Sequence, residues 1–430
     1  MQSLCRSKNE SCADRARRTS RPTFSLLCTC LAIVAMPEPG CVIPISGAVS
    51  TANDGGAGKP PLNDDAGIPP NGDASNPPPG GYPFGVAGIG GVVPVGAWSS
   101  VTANLANMDS ECGNMTSVSA KPDEDLLIAG IALKGLWASR DGGMSWQALG
   151  TGVGSAQITN RPMTVVFDPD PKNSMQFWEV GIYNAGGVYR TADDGATFTL
   201  LGDSHHDDLV SIDFTDPARK TLLAGGHEQQ QTVQRSTDGG MTWTNVGSGL
   251  PSNSTCTLPL ILDGQTHLVG CVSYTKGPDG VYRTANGGMT WTQVTSSGGA
   301  APPLHASDGS IYWASRDGKG MTHGSIDGQT WTDVTGAGVI ASLAPVELPD
   351  GRLAAIGPVY GAQYVLVSAD QGATWHPVSP KLPYNDERGL VYSPQRNTFY
   401  IWHFTCGNGS VPVPPDAIMS FEVATDAGVP

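Results

Sequence analysis

The chain has 430 residues, 15% of them charged, with 56 Gly, 34 Pro and a formal net charge of −15. No stretch keeps a helical apolar period among so many turn formers, which excludes a helical bundle and points to an all-β fold. So acidic a chain lacks the electrostatic footprint of a nucleic-acid binder and is repelled by anionic lipid surfaces, which leaves cations, neutral sugars or a basic protein patch as partners.

At the N-terminus, Arg15, Arg17, Arg18 and Arg21 precede a short apolar run, FSLLCTCLAIVAM, over residues 24–36. A basic region before so short an apolar run reads as a secretory signal rather than a membrane span. Pro-Gly-Cys41 follows; Gly40 suits a lipoprotein signal and Glu38 does not, so Cys41 is a candidate lipid-anchor site. Residues 1–41 hold six Lys/Arg and three Asp/Glu, so the remainder carries 18 bases against 36 acids, −18. Residues 42–91 are rich in Pro, Gly, Asn and Asp and have little to bury, as expected of a disordered tether. The folded part, residues 92–430, is then expected outside the cytoplasm, secreted, periplasmic or held at a surface.

Within it one phrase recurs: SRDGGMSW from Ser139, TADDGATF from Thr191, STDGGMTW from Ser236, TANGGMTW from Thr284, SIDGQTW from Ser325 and SADQGATW from Ser368. The starts are 52, 45, 48, 41 and 43 residues apart. A period in this range marks stacked supersecondary units and fits four short strands each. Each residue type in the phrase has a mechanical use. The Asp accepts hydrogen bonds from nearby backbone amides, the Gly residues permit positive φ, and the closing aromatic starts the next strand and packs between sheets.

The phrase resembles the Asp-box, or BNR, repeat, S/T-x-D-x-G-x-T-W, found on the turn between the two outer strands of a propeller blade. The resemblance covers residues 92–430 and implies a β-propeller of the sialidase-like superfamily. Similar repeats occur in sialidases, xyloglucan-cleaving hydrolases, sortilin-type receptors and photosystem assembly factors, so it implies a fold and no single activity. It gives Asp141, Asp193, Asp238, Asn286, Asp327, Asp370 and Asp426 as structural turn residues. Asn286 replaces the usual Asp, Phe198 replaces a Trp, and the fifth phrase is one residue short.

Inner strands are predicted at 115–120, 163–168, 209–214, 258–263, near 304–306, near 343–346 and at 389–393, giving seven four-stranded blades. The phrase core around Asp426 lacks its Trp strand, and GAWSSVTA near the start matches that strand. Residues 96–103 are therefore expected to form the outer strand of the last blade and close the ring. Cys256 and Cys271 lie symmetrically about Asp263-Gly264, a two-residue hairpin signal, and are expected to bond across adjacent strands. Cys112 and Cys406 share similar contexts in the first and last blades and are the second expected pair, in keeping with an oxidising compartment.

The turns of the phrase lie on one rim, so ligand-contacting residues are sought on the opposite loops. The densest group is in the third blade, where His205, His206, Asp207 and Asp208 lead into the inner strand and His227-Glu228 opens the next loop. Such a set can bind a divalent metal or act as acid and base; no metal or cofactor is assigned. Strand alternation prefers His206 with Asp208. Arg161, His206, Asp208, His227, Glu228, Tyr274, His305 and Arg388 are the ligand-binding candidates, and Asp208, His206, Glu228 and Glu387 the candidates for catalysis. Glu179, Asp386 and Glu387 are the carboxylates to test as partners, since glycoside hydrolysis uses two. No Arg-Ile-Pro occurs, and Arg140, Arg190, Arg235 and Arg283 belong to the phrase rim, which argues against a sialidase. The expectation is a monomeric, exported propeller whose loop face binds a glycan. The alternatives are a glycoside hydrolase or lyase and a protein-binding assembly or adhesion factor.

Overall fold

The computed structural model describes residues 94–150, 158–184, 186–273, 277–315, 320–334, 343–359 and 361–423. The expected signal and tether, Tyr274 and the Asp426 turn lie outside the described residues.

The strands form seven antiparallel sheets of four strands each, the blades of a propeller. The inner strands are Met115–Ala120, Arg161–Phe167, Asp207–Ile212, Thr255–Ile261, Leu304–His305, Val346–Glu347 and Gly389–Ser393. Six blades run from inner to outer strand in sequence order. In the last, Gly389–Ser393, Thr398–Trp402 and Ile418–Glu422 are followed by Ser99–Ser100. Ser99 pairs with Ser420 and Ser100 with Met419, so the first strand of the chain is the outer strand of the seventh blade. Trp98 reinforces the join by donating its indole N–H to the Pro380 carbonyl in blade 6 at 3.3 Å. Trp146, Trp243 and Trp291 make the same bond to Val101, Leu201 and Val246 of their preceding blades, at 3.0, 2.8 and 2.8 Å.

The repeated turn is a hydrogen-bonded unit. In blade 2, Asp193 accepts from the Thr191 hydroxyl at 2.8 Å, the Thr197 amide at 2.8 Å and the Thr197 hydroxyl at 2.6 Å. The Thr191 hydroxyl oxygen in turn accepts from the Gly195 amide at 3.0 Å. Asn286 preserves the scheme with one polarity reversed: its amide donates to the Thr290 hydroxyl at 2.9 Å where a carboxylate would accept. In the shortened fifth turn the Ser325 oxygen takes over the Thr330 amide at 3.0 Å, while Asp327 keeps the Ser325 hydroxyl and the Gln329 amide.

The core is divided among the blade interfaces. One cluster lies between blades 1 and 2, around Ile128, Phe177 and Tyr189; another lies between blades 7 and 1, around Met115, Trp146 and Tyr400. Each blade therefore buries both faces, and its second strand reads as a continuous apolar run: all of Leu127–Ile131 and of Phe177–Ile182 is buried.

Cys112 is bonded to Cys406 across the seam of blades 1 and 7, and Cys256 to Cys271 between two strands of blade 4. The hairpin joining those strands is not a two-residue turn. Asp263 accepts the Gln265 and Thr266 amides at 2.8 and 2.7 Å, so its carboxylate closes a longer loop that needs no positive φ at Gly264.

Three inner strands start earlier than alternation predicts, at Arg161, Asp207 and Thr255. Each carries a register shift in its first residues, between Pro162 and Thr164, Asp207 and Leu209, and Thr255 and Leu258. A bulge adds an unpaired residue and bends the strand. Here the bulges sit where the strands leave the loop face, among the candidate site residues.

Candidate functional site

The second and third blades bring three aromatic rings together. Tyr183 lies in the loop after the second strand of blade 2, His206 precedes the inner strand of blade 3, and His227 follows that blade's second strand. Their ring centroids are 4.7 Å apart for Tyr183–His206, 5.4 Å for Tyr183–His227 and 4.9 Å for His206–His227. Positive φ at Tyr183 (54°) and His206 (66°) lets the backbone turn these side chains toward each other, and Glu228 (55°) shares the conformation. Non-glycine residues adopt such φ values at a cost, and they cluster at functional loops.

His227 is held at both ring nitrogens. Nδ1 lies 2.7 Å from Asp208 Oδ1 and Nε2 lies 3.1 Å from the Tyr183 hydroxyl. Burial alone would push this imidazole down, but the hydrogen bond and charge of Asp208 outweigh it, and its pKa is raised above the ordinary 6.5. His206 moves the other way. Burial, then the neighbouring His227, lowers its pKa. Its Nδ1 accepts the Tyr183 backbone N–H at 3.2 Å, which fixes a neutral ring with the proton on Nε2.

Arg161 completes this side. Its guanidinium lies 5.0 Å from the Tyr183 ring centroid, and Nε donates to Glu111 at 2.8 Å. Only 6% of the residue is exposed. Glu111 adjoins Cys112, so the seam disulfide anchors the carboxylate that aims Arg161. Glu228 is exposed and stands 3.7 Å from His227 Nε2.

His206 and Asp208 are both brought to His227, but not by strand alternation. His206 lies ahead of the strand in a left-handed conformation, and the Asp207–Leu209 bulge turns Asp208 toward His227. Asp207 faces inward instead, bonded to the Ser204 hydroxyl, and burial raises its pKa to about 6. His205 is exposed.

The other candidates divide. Glu387 and Arg388 sit in the loop leading into the inner strand of blade 7, beside Tyr384, Trp402 and His403. His305 is separated from all of these. It pairs with Ile311 at the turn end of blade 5's short inner strand, with the charges of Asp308 and Glu347 acting on it, and so lies toward the rim of the repeated turns. Glu179 is wholly buried between blades 1 and 2, where burial lifts its carboxyl to about 8. Among the described residues no three His, Cys, Asp or Glu side chains converge to hold a metal ion.

Sequence reasoning missed Glu111 and Trp402. Glu111 is one acid in a loop without a motif, and its partner Arg161 is 50 residues away. Trp402 closes an apolar strand and reads as core.

No protein-family model matches the chain, and no curated protein matches it. Among solved structures it is similar in fold to a GH74 xyloglucanase from Xanthomonas campestris, with 17% identity, a TM-score of 0.48, and 75% of this chain and 55% of that one covered. This chain thus spans about half the length of that enzyme. It is also similar to YCF48 bound to a D1 peptide, with 16% identity, TM-score 0.48, and 77% and 98% covered. A third is the extracellular domain of a putative hybrid two-component system, BT3049, from B. thetaiotaomicron, with 12% identity, TM-score 0.49, and 72% and 40% covered. Likeness at this level concerns the arrangement of blades alone.

Proposed function

We propose that this protein works outside the cytoplasm as a propeller that binds an extracellular glycan on its loop face, with the Arg161, Tyr183, His206, Asp208 and His227 group as the binding centre. The observation that carries this reading is the meeting of Tyr183, His206 and His227, from two blades, at the ends of strands on the face opposite the repeated turns. Aromatic edges with oriented donors and acceptors suit a polyhydroxylated ligand. Two disulfides in the folded part fit an oxidising compartment. A polysaccharide array on the full chain tests the reading. His206→Ala is expected to weaken glycan binding about tenfold or more, the loss of one or two directed hydrogen bonds, with little change in Tm. Binding that survives His206→Ala and His227→Ala makes the cluster structural.

A second reading rests on the Asp208–His227–Tyr183 chain. A carboxylate on one imidazole nitrogen and a hydroxyl on the other is how a general base is oriented. Under it the protein cleaves the glycan it binds. Released reducing ends, lost in His227→Ala, would establish this; binding without release in the wild type leaves a binding protein.

A further inference from the structure

The loop face of blade 7 holds a second concentration of polar groups. Arg388 donates its backbone N–H to the Trp402 carbonyl at 2.7 Å and Gly389 pairs with Trp402, which clamps the loop carrying Tyr384, Asp386, Glu387 and Arg388 to the end of the second strand. The Tyr384 ring stacks on His403 with centroids 4.2 Å apart. His403 stands between Asp386 at 3.5 Å and Asp416 at 3.4 Å, and the Arg388 guanidinium lies 4.0 Å from the Phe404 ring centroid.

Five of these side chains bury polar atoms that make no hydrogen bond among the described residues: Tyr384 Oη, both Glu387 carboxyl oxygens, Arg388 Nε, Trp402 Nε1 and His403 Nδ1. Glu387 is 6% exposed and Trp402 8%. Glu387 and Arg388 do not pair with each other, because consecutive residues of an extended segment point to opposite sides. Each buried atom left alone costs about 1–3 kcal/mol, so several at one loop mouth call for a partner from outside the chain.

We propose that this mouth is a second subsite, which takes the vicinal hydroxyls of a neutral sugar between Glu387 as acceptor and Trp402 and Tyr384 as donors. The inference rests on the glycan reading above and adds to it a position and a charge class. An anionic sugar would face Asp386 and Asp416 beside Glu387 and is excluded. A vicinal diol brings donors and acceptors without charge. Burial, the larger influence, and the Asp386 charge push the Glu387 carboxyl up toward its neutral form, which can donate as well as accept.

Isothermal titration of the full chain with cellotetraose, xylotetraose, mannotetraose and tetragalacturonate tests this, repeated on Trp402→Phe, Tyr384→Phe, Glu387→Ala and His206→Ala. A neutral oligosaccharide is expected to bind and tetragalacturonate to fail. Tyr384→Phe removes one hydroxyl at nearly constant shape and should weaken that binding about tenfold without lowering Tm, whereas Trp402→Phe removes the indole N–H together with part of a core side chain and should weaken it about tenfold with some loss of Tm. They decide the matter even where Glu387→Ala does not fold. If a neutral oligosaccharide binds the wild type and both Phe variants equally, the subsite is overturned while the glycan reading stands on His206→Ala. If tetragalacturonate alone binds, the charge class is overturned. If none of the four probes binds, both proposals fall.

Discussion

His227 and Glu179 show how opposite environments set two titratable groups in one propeller. The raised pKa of His227 means that its ion pair with Asp208 contributes stability in full below the ordinary value of 6.5 and loses it as pH rises through the folded value. Asp208→Asn should therefore lower Tm more under mildly acidic than under alkaline conditions. The effect will be small, about 1 kcal/mol or less, since the pair is partly exposed. Thermal melts of both proteins across that range check the sign; a difference that grows with pH contradicts it. Glu179 is a carboxyl raised rather than lowered. The unfolded chain ionises it above 4.5 and the folded one only above about 8, so stability falls as pH rises between the two. Glu179→Gln keeps the shape and removes the charge. Urea unfolding should show the variant flattening that slope and gaining stability at the alkaline end; an unchanged slope would place the titration elsewhere.

Among elements, the repeated turn concentrates hydrogen bonds and the bulged strand ends lie at the proposed site. Asp193→Ala removes three hydrogen bonds from one turn, and a cost of about 1–2 kcal/mol is expected, as for the loss of a helix cap. Glycan binding should not change. Calorimetry paired with titration separates the two effects, and a binding loss in Asp193→Ala at unaltered Tm would reverse the assignment of the rims. Asn286→Asp should be nearly neutral, because Asn286 already makes the turn's bonds to Thr284 and Thr290. The bulges were invisible to the sequence for a definite reason. Alternation assumes one residue per pleat, and the extra residue at Asp207–Leu209 changes the face of everything before it.

At the scale of the ring, closure comes from the first and last of the described strands. The Ser99–Ser100 strand, the Trp98 indole and the Cys112–Cys406 bond all tie the N-terminal part to the last blades. The bond spans 294 residues, against 15 for Cys256–Cys271. Chain-entropy reasoning gives the longer loop the larger effect, roughly 6 kcal/mol against about 3 as an upper bound. Cys112→Ser with Cys406→Ser should thus lower Tm further than Cys256→Ser with Cys271→Ser. It should also weaken binding at Arg161, because Glu111 loses its anchor. Equal losses in Tm, with binding intact, would show that strand pairing alone secures the seam.

The sequence by itself determined the number of blades, the repeated turn and both cysteine pairs. The blades and the turn rest on local hydrogen bonding and on periodicity, which a linear chain records; the cysteine pairs rest on their placement in facing strands and in the first and last blades. It also named His206, Asp208, His227, Glu387 and Arg388, because polar residues crowding a strand end are visible without coordinates. Only the tertiary structure decided which of them meet. Tyr183 reaches His227 across a blade boundary, Glu111 reaches Arg161 through a seam made by the far end of the chain, and His305 falls toward the turn rim because blade 5's inner strand pairs only beside its turn. Closing the ring sets these distances, and each depends on the packing of neighbouring blades and on bulges that no spacing in the sequence encodes.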